Sequence, residues 1–185
     1  GLTMRVRIHK LLEMKQTGQR IAALTAYDYP TARLADASGV PLILVGDSLA
    51  NVVLGYDSTI PVTMDDMVHH TKAVIRGSSN ALVVADMPFM SYQADISEAL
   101  HNAGRFLKEG GCQSVKLEGG ERLAPTVERI VGCGIPVMGH LGLTPQSIHG
   151  LGGYRAQGRV PHEAAQLIRD AHALEEAGAY ALVLE

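Results

Sequence analysis

Asp47, Asp86, Glu118, His140 and Glu185 each stand at the tip of a short apolar run, in LILVGD, LVVADMPF, SVKLEGG, IPVMGH and YALVLE. In a parallel α/β sheet the carboxyl ends of the strands gather on one face, so residues far apart in the chain meet there. Carboxylates that converge repel one another unless a cation or a proton compensates. An enzyme has reason to build such a place, and a purely structural protein has little. Asp47 and Asp86 form the strongest pair. Two carboxylates at the tips of successive strands suit a hard divalent cation. Mg²⁺ takes one or two carboxylates, keeps several waters and leaves positions for substrate oxygens. The plain alternative for a strand-end Asp is a turn former or helix cap. Asp86, just before Met87-Pro88, is open to that alternative; Asp47, followed by a long connection, is less so.

Lys116 and Glu118 share strand parity and so point to one side. They read either as a site pair, Lys for a substrate anion and Glu for the metal's surroundings, or as a partly exposed ion pair of little consequence. His140 alone reads as a hydrogen-bonded structural residue, with Glu118 across the sheet as its expected neighbour. Glu185 ends the apolar run 181–184, so its side chain is expected to enter a dry place, where a carboxylate becomes a better proton acceptor. Being the last residue, it also reads as an artificial chain end. His69 and His70 are adjacent on an expected helix. They face different directions and read as surface or interface residues.

Positioning these groups requires a β–α alternation. The apolar pattern predicts a helix over 6–17 and strands over 21–27, 42–47, 82–86, 114–117, 136–140 and 180–184. Helices are expected from about 30 to 39, 63 to 76, 96 to 108, 121 to 131 and 161 to 176. Two long connections, 48–62 and 141–160, interrupt the rhythm. The second is Gly-rich, carries Tyr154, Arg155 and Arg159, and reads as a lid over the site or as a subunit contact. The strands are nearly continuous apolar runs, which means a parallel sheet buried on both faces. A doubly wound sheet and a (βα)8 TIM barrel both fit that rhythm. Functional-looking residues at five strand ends, instead of at one switch point, favour the barrel. Such a barrel needs about 250 residues, and the chain has 185. The expectation is therefore one domain over 1–185, a barrel truncated after strand six, with an extra N-terminal helix.

Composition narrows the function classes. The 16 basic residues form no cluster, net charge is −3 and aromatic content is 4%, which argues against a nucleic-acid partner. No apolar run approaches the ~20 residues of a membrane span. Cys112 and Cys133 belong to no CxxC or zinc spacing, so free thiols in a cytoplasmic protein are expected.

The segments LTAYD (24–28), LVGDSLANVVLGYDSTIPVT (44–63), VVADMPF (83–89), VKLEGG (115–120) and GHLGLTPQSIHGLGGYRAQGR (139–159) resemble the 3-methyl-2-oxobutanoate (ketopantoate) hydroxymethyltransferases. That resemblance runs through nearly the whole chain. It implies a (βα)8 barrel assembled as a homodecamer that uses Mg²⁺. It implies transfer of a one-carbon unit from 5,10-methylenetetrahydrofolate to 3-methyl-2-oxobutanoate, giving ketopantoate for pantothenate and coenzyme A synthesis. Asp47 and Asp86 become direct Mg²⁺ ligands that also meet the substrate, and Glu118 joins the metal's outer shell. Ser48 and Lys116 hold the keto acid carboxylate, His140 supports the Glu118 region and Glu185 is the general base. The family pattern continues for roughly two further βα units. The competing readings are another Mg²⁺-enolate barrel, such as a carbon–carbon lyase that commonly uses a loop Cys, and an inactive truncated copy.

Overall fold

The computed structural model describes residues 4–151 and 157–185. Helix α1 (Ile8–Gln16) is followed by β1 (Ala23–Thr25), α2 (Tyr29–Ala37), β2 (Leu42–Val45), α3 (Leu49–Val52), α4 (Met64–Gly77) and β3 (Leu82–Asp86). Then come α5 (Ile96–Arg105), β4 (Ser114–Glu118), α6 (Ala124–Gly132), β5 (Val137–Leu141), α7 (Ile148–Leu151), α8 (Pro161–Glu176) and β6 (Ala181–Leu184). All neighbouring strands pair in parallel, and the spatial order is the sequence order, β1 to β6. A doubly wound sheet would reverse that order at a switch point. The architecture is a six-stranded parallel half-barrel with β1 and β6 at its edges among the described residues.

The helices begin where the sequence supplies caps. Asp28 accepts from the Thr31 N–H at the start of α2, with Pro30 in the first turn. Thr63 and Asp66 form a reciprocal capping box on α4, which satisfies two otherwise orphaned donors. Asp95 caps α5 through the Glu98 N–H. Gly77 on α4 lies against α2: a Cβ there would sit 2.5 Å from the Tyr29 carbonyl oxygen.

Strand alternation sorts the core into two layers. Ile43, Val45, Val83, Ala85, Val115, Leu117 and Val137 face the helices and join Val74, Phe106, Ile130 and Leu174 in the larger core. Leu42, Leu82, Val84 and Met138 face the interior and pack on Leu11, with Ile8 and Met14 of α1 against them. Helix α1 thus closes the amino-terminal floor of the half-barrel, leaving the carboxyl-terminal tips above it for polar groups.

Three expectations need correction. The first strand is only three residues long, and all three are exposed, because an edge strand pairs on one side only. The connection 48–62 contains a short helix, α3, and the connection 141–160 contains a 3-10 turn, Pro145–Ser147, and α7. Both helices are about one turn long, too short for a hydrophobic period to register. The helix expected from 121 starts as a 3-10 turn, and that expected to 108 ends in a π turn, Phe106–Gly110, stopped by Gly111 at φ 79°.

Asp36 clamps the amino-terminal end of β3. Its carboxylate accepts from the backbone N–H groups of Ser79, Asn80 and Ala81 at 2.8–3.2 Å. Arg5 binds the same turn through Ser78 and the Ala81 carbonyl. Burial alone would raise the Asp36 pKa; the three N–H donors and Arg5 outweigh it and hold the carboxyl below its ordinary value. A depressed folded-state pKa stabilises above the unfolded value and is lost as pH falls through the folded one. Asp36→Asn is therefore expected to cost about 2 kcal/mol at neutral pH, read as a lower urea midpoint. The gap from wild type should shrink below about pH 4; a gap constant down to pH 2 would contradict this account.

Candidate active site

Register decides which tips meet. Asp86 pairs with Lys116 across β3 and β4, and Glu118 pairs with His140 across β4 and β5. These positions share the interior parity of Leu82, Val84 and Met138, so they stand directly above the apolar floor. Asp47 and Ser48 follow β2 on a turn whose entry, Gly46, leaves room: a Cβ there would lie 3.0 Å from Ser48 Oγ. A cavity of about 190 Å³ is lined by Thr25, Leu44, Gly46, Asp47, Ser48, Asp86, Lys116, Glu118, His140, Pro145 and Glu185. All seven residues picked out from the sequence meet there.

Asp86 is the hub of one half. Its Oδ2 accepts from the Asp47 backbone N–H at 3.0 Å, and its Oδ1 lies 3.4 Å from Lys116 Nζ. Both partners of that ion pair are about nine-tenths buried. Asp86 is thus not a turn former or cap, and Lys116 and Glu118 do not pair with each other at an exposed surface. Burial raises the Asp47 carboxyl well above the usual range, and Asp86 and then Glu118 add to it, against the opposing hydrogen bond from Gln146 and the Lys116 charge. Burial works to lower the Lys116 pKa, but Asp86, Asp47 and Glu118 outweigh it and keep the ammonium charged. Ser48 Oγ shares a 2.7 Å hydrogen bond with the Tyr27 hydroxyl.

His140 is the hub of the other half. Its Nε2 lies 2.6 Å from Glu185 Oε2, and its Nδ1 lies 3.6 Å from Glu118 Oε1. Burial disfavours the imidazolium, yet Glu118 and Glu185 prevail over it and over Lys116, so the pKa stands above its ordinary value. The Glu185 side chain is 51% exposed.

Asp47, Asp86 and Glu118 converge on one ammonium, that of Lys116, and Asp86 Oδ1 is buried without a hydrogen bond. Those facts fit a hard cation held by Asp47 and Asp86. No three His, Cys, Asp or Glu side chains among the described residues form a ready cage for a metal. Glu118 is engaged otherwise: its Oε2 accepts from the Gln146 backbone N–H at 3.0 Å.

Sequence reasoning missed Gln146 and Tyr92. The Gln146 amide donates to Asp47 Oδ2 and the Met87 carbonyl, and accepts from the Tyr92 hydroxyl. Tyr92 also accepts from the Glu118 N–H at 3.0 Å. A loop Gln and an isolated Tyr carry no motif, and the only signal was that Gln146 lies inside a long recognisable segment. His70 is not simply a surface residue, since its Nδ1 lies 2.7 Å from the Tyr27 carbonyl oxygen; His69 is exposed. Tyr154 and Arg155 of the suggested lid lie outside the described residues; Arg159 is exposed. Cys112 is buried and Cys133 exposed, and both precede their strands, on the side opposite the tips. Burial pushes the Cys112 thiol up to about 12.

The ketopantoate hydroxymethyltransferase family model matches residues 5–185. The chain belongs to the ketopantoate hydroxymethyltransferase family. The 3-methyl-2-oxobutanoate hydroxymethyltransferase of Dehalococcoides mccartyi (strain BAV1) is 63% identical over 98% of the chain and 65% of its own length. That of Carboxydothermus hydrogenoformans is 62% identical over 98% of the chain and 66% of its length. The chain thus spans about two thirds of the length of these curated relatives. Among solved structures, phosphonopyruvate hydrolase complexed with oxalate and Mg²⁺ superposes with a TM-score of 0.72 at 14% identity, covering 96% of this chain and 62% of that one. A 2,3-dimethylmalate lyase of the PEP mutase/isocitrate lyase superfamily gives 0.70 at 17% identity, over 96% and 62%. These likenesses carry the fold, which is TIM-barrel-like. No helix among the described residues of this family member is long and apolar enough to cross a membrane.

Gly142 seats Glu185. Its φ is +90°, and a Cβ there would collide with the Glu185 carbonyl oxygen, which accepts from the Leu143 N–H at 2.8 Å. Gly142→Ala is expected to break that bond and raise amide hydrogen exchange at Leu143 about tenfold or more, since an Ala at positive φ costs roughly 1–2 kcal/mol before any collision. Unchanged exchange at Leu143 would disprove the seating role.

Proposed function

We propose that the protein transfers a hydroxymethyl group from 5,10-methylenetetrahydrofolate to 3-methyl-2-oxobutanoate, forming ketopantoate in the route to pantothenate and coenzyme A. What carries the reading is the meeting, in a member of this family, of the Asp47–Asp86–Lys116 cluster and the His140–Glu185 pair in one cavity. The substrate's chemistry asks for an anion site beside its carboxylate, polarisation of its carbonyl and a base at C3.

Lys116 and Ser48 hold the keto acid carboxylate, the first by charge and the second by its hydroxyl or backbone N–H. Asp47 and Asp86 would hold Mg²⁺, with Glu118 supporting them from the outer shell. When bound, that ion supplies Lewis-acid polarisation of the keto acid carbonyl and so acidifies C3. Glu185 takes the C3 proton on Oε1, the oxygen not engaged by His140. The imidazole fixes the other oxygen and keeps the carboxylate oriented. The resulting carbon nucleophile attacks the methylene carbon of the folate, forming the C–C bond as one C–N bond breaks; water then displaces the second folate nitrogen and supplies the hydroxyl oxygen, and tetrahydrofolate leaves, its two nitrogens having taken up the C3 proton relayed by Glu185 and one proton of the water. An adjoining cavity of about 270 Å³ shares His140 and is bordered by Gly119, Gly120, Thr144, Gln166 and Asp170; it offers room for the second substrate. In this reading the protein completes its barrel with further βα units, works in the cytoplasm and assembles as a homodecamer. The carbon–carbon lyase alternative would use the same metal logic, but neither Cys112 nor Cys133 stands near the tips. Product formation that depends on folate separates the two.

Two variants of the full-length protein test the roles. Asp47→Ala is expected to abolish Mg²⁺ binding in isothermal titration with ketopantoate present; unchanged affinity would remove Asp47 as a ligand. Glu185→Gln is expected to keep ligand affinity within a few-fold while stopping exchange of the C3 proton into deuterated water. Exchange at the wild-type rate would mean that another group is the base.

A further inference from the structure

Gln146 ties together more of the site than any residue to which a role has been given so far. It sits in the 3-10 turn after β5 and is 6% exposed. Its Nε2 donates to Asp47 Oδ2 at 2.8 Å and to the Met87 carbonyl at 2.9 Å. Its Oε1 accepts from the Tyr92 hydroxyl at 2.7 Å and from Gln93 Nε2 at 3.2 Å. Its backbone N–H donates to Glu118 Oε2 at 3.0 Å. Both hydrogens of the amide nitrogen are used and its oxygen accepts twice, so the amide cannot flip without losing all four bonds. Tyr92 locks the same arrangement from behind, since its hydroxyl accepts from the Glu118 N–H while donating to Gln146.

We propose that Gln146 is a positioning residue for the cation site: it holds Asp47 Oδ2 in a fixed hydrogen bond and presents Oδ1 alone to the metal, while its backbone holds Glu118 back from direct ligation. The inference rests on the reading of Asp47 and Asp86 as cation ligands. Its physical basis is geometric. A carboxylate turning freely can chelate a cation through both oxygens or swing away, and one oxygen committed to a rigid donor removes both options. Only an amide meets the demand at this spot, because one end must donate to a carboxylate and the other must accept from a phenol. Glu would set two carboxylates against each other, and Met of similar volume would satisfy neither side.

The test measures metal affinity, not turnover. Mn²⁺ binding to the full-length protein, without substrate, is followed by the electron paramagnetic resonance signal of the free ion. Gln146→Met is expected to weaken Mn²⁺ binding about tenfold or more, the range typical of lost outer-shell support. Tyr92→Phe, which removes the lock but not the amide, is expected to weaken it less, by roughly three- to tenfold on the same grounds. Asp36→Asn is the control for lost stability alone and is expected to leave Mn²⁺ affinity unchanged. Mn²⁺ affinity within twofold of wild type in Gln146→Met overturns the positioning role, as does an equal loss in Asp36→Asn. If Gln146→Met does not fold, Tyr92→Phe decides, and affinity within twofold of wild type again overturns the proposal. A wild-type protein that binds no Mn²⁺ refutes the cation reading itself, which is a distinct result.

Discussion

A parallel strand pair in fixed register delivers residues of one parity to one face, and every charged group of the site depends on that delivery. Asp86 meets Lys116, and Glu118 meets His140, because the ladders set those residues opposite each other. One residue of slippage in β4 would send Lys116 and Glu118 to the helix side and bring Val115 and Leu117 into the cavity. The apolar floor guards the flanking strands in the same way. Leu82 and Val84 of β3 and Met138 of β5 carry the parity of the charged tips on their own strands and are held on α1, so a slip in β3 or β5 would also expose the floor. The packing that stabilises the lower half of the strands therefore fixes the chemistry at their upper ends.

The price of this arrangement is electrostatic. Asp47, Asp86 and Glu118 stand in a buried cavity with only Lys116 as a permanent opposite charge nearby. A buried charge is tolerated when hydrogen bonds and counter-charges satisfy it. The protein supplies many such bonds: Asp47 N–H to Asp86, the Gln146 amide to Asp47, the Gln146 N–H to Glu118. It stops short at Asp86 Oδ1, the oxygen nearest Lys116. There the Lys116 ammonium, 3.4 Å away, supplies charge without a close hydrogen bond.

The strands and their tips were legible because alternation and chain parity are local properties, readable from LVVAD or SVKLE without knowing what lies alongside. The half-barrel order followed from polar residues at every tip. Helices α3 and α7 were not legible, since a single turn has no period to detect. Gln146 and Tyr92 were hidden for a different reason. Their value lies in contacts across 99 and 54 residues of chain, and neither residue type announces a role.

His140 couples the two halves of the site. It stands between Glu118, which borders the cation cluster, and Glu185, the proposed base, and its pKa is raised by both. A protonated imidazole can serve both carboxylates at once, while a neutral one can donate to only one. The distances are unequal, 2.6 Å to Glu185 and 3.6 Å to Glu118, so Glu185 holds the tighter claim. Glu118 is meanwhile drawn toward Gln146 by a shorter bond. Each carboxylate thus has one preferred donor, and the longer His140–Glu118 contact is the seam between the two networks. A change at the Asp47–Asp86 cluster that moves Glu118 would alter the support of His140, and through it the orientation of Glu185, without any direct contact between that cluster and Glu185.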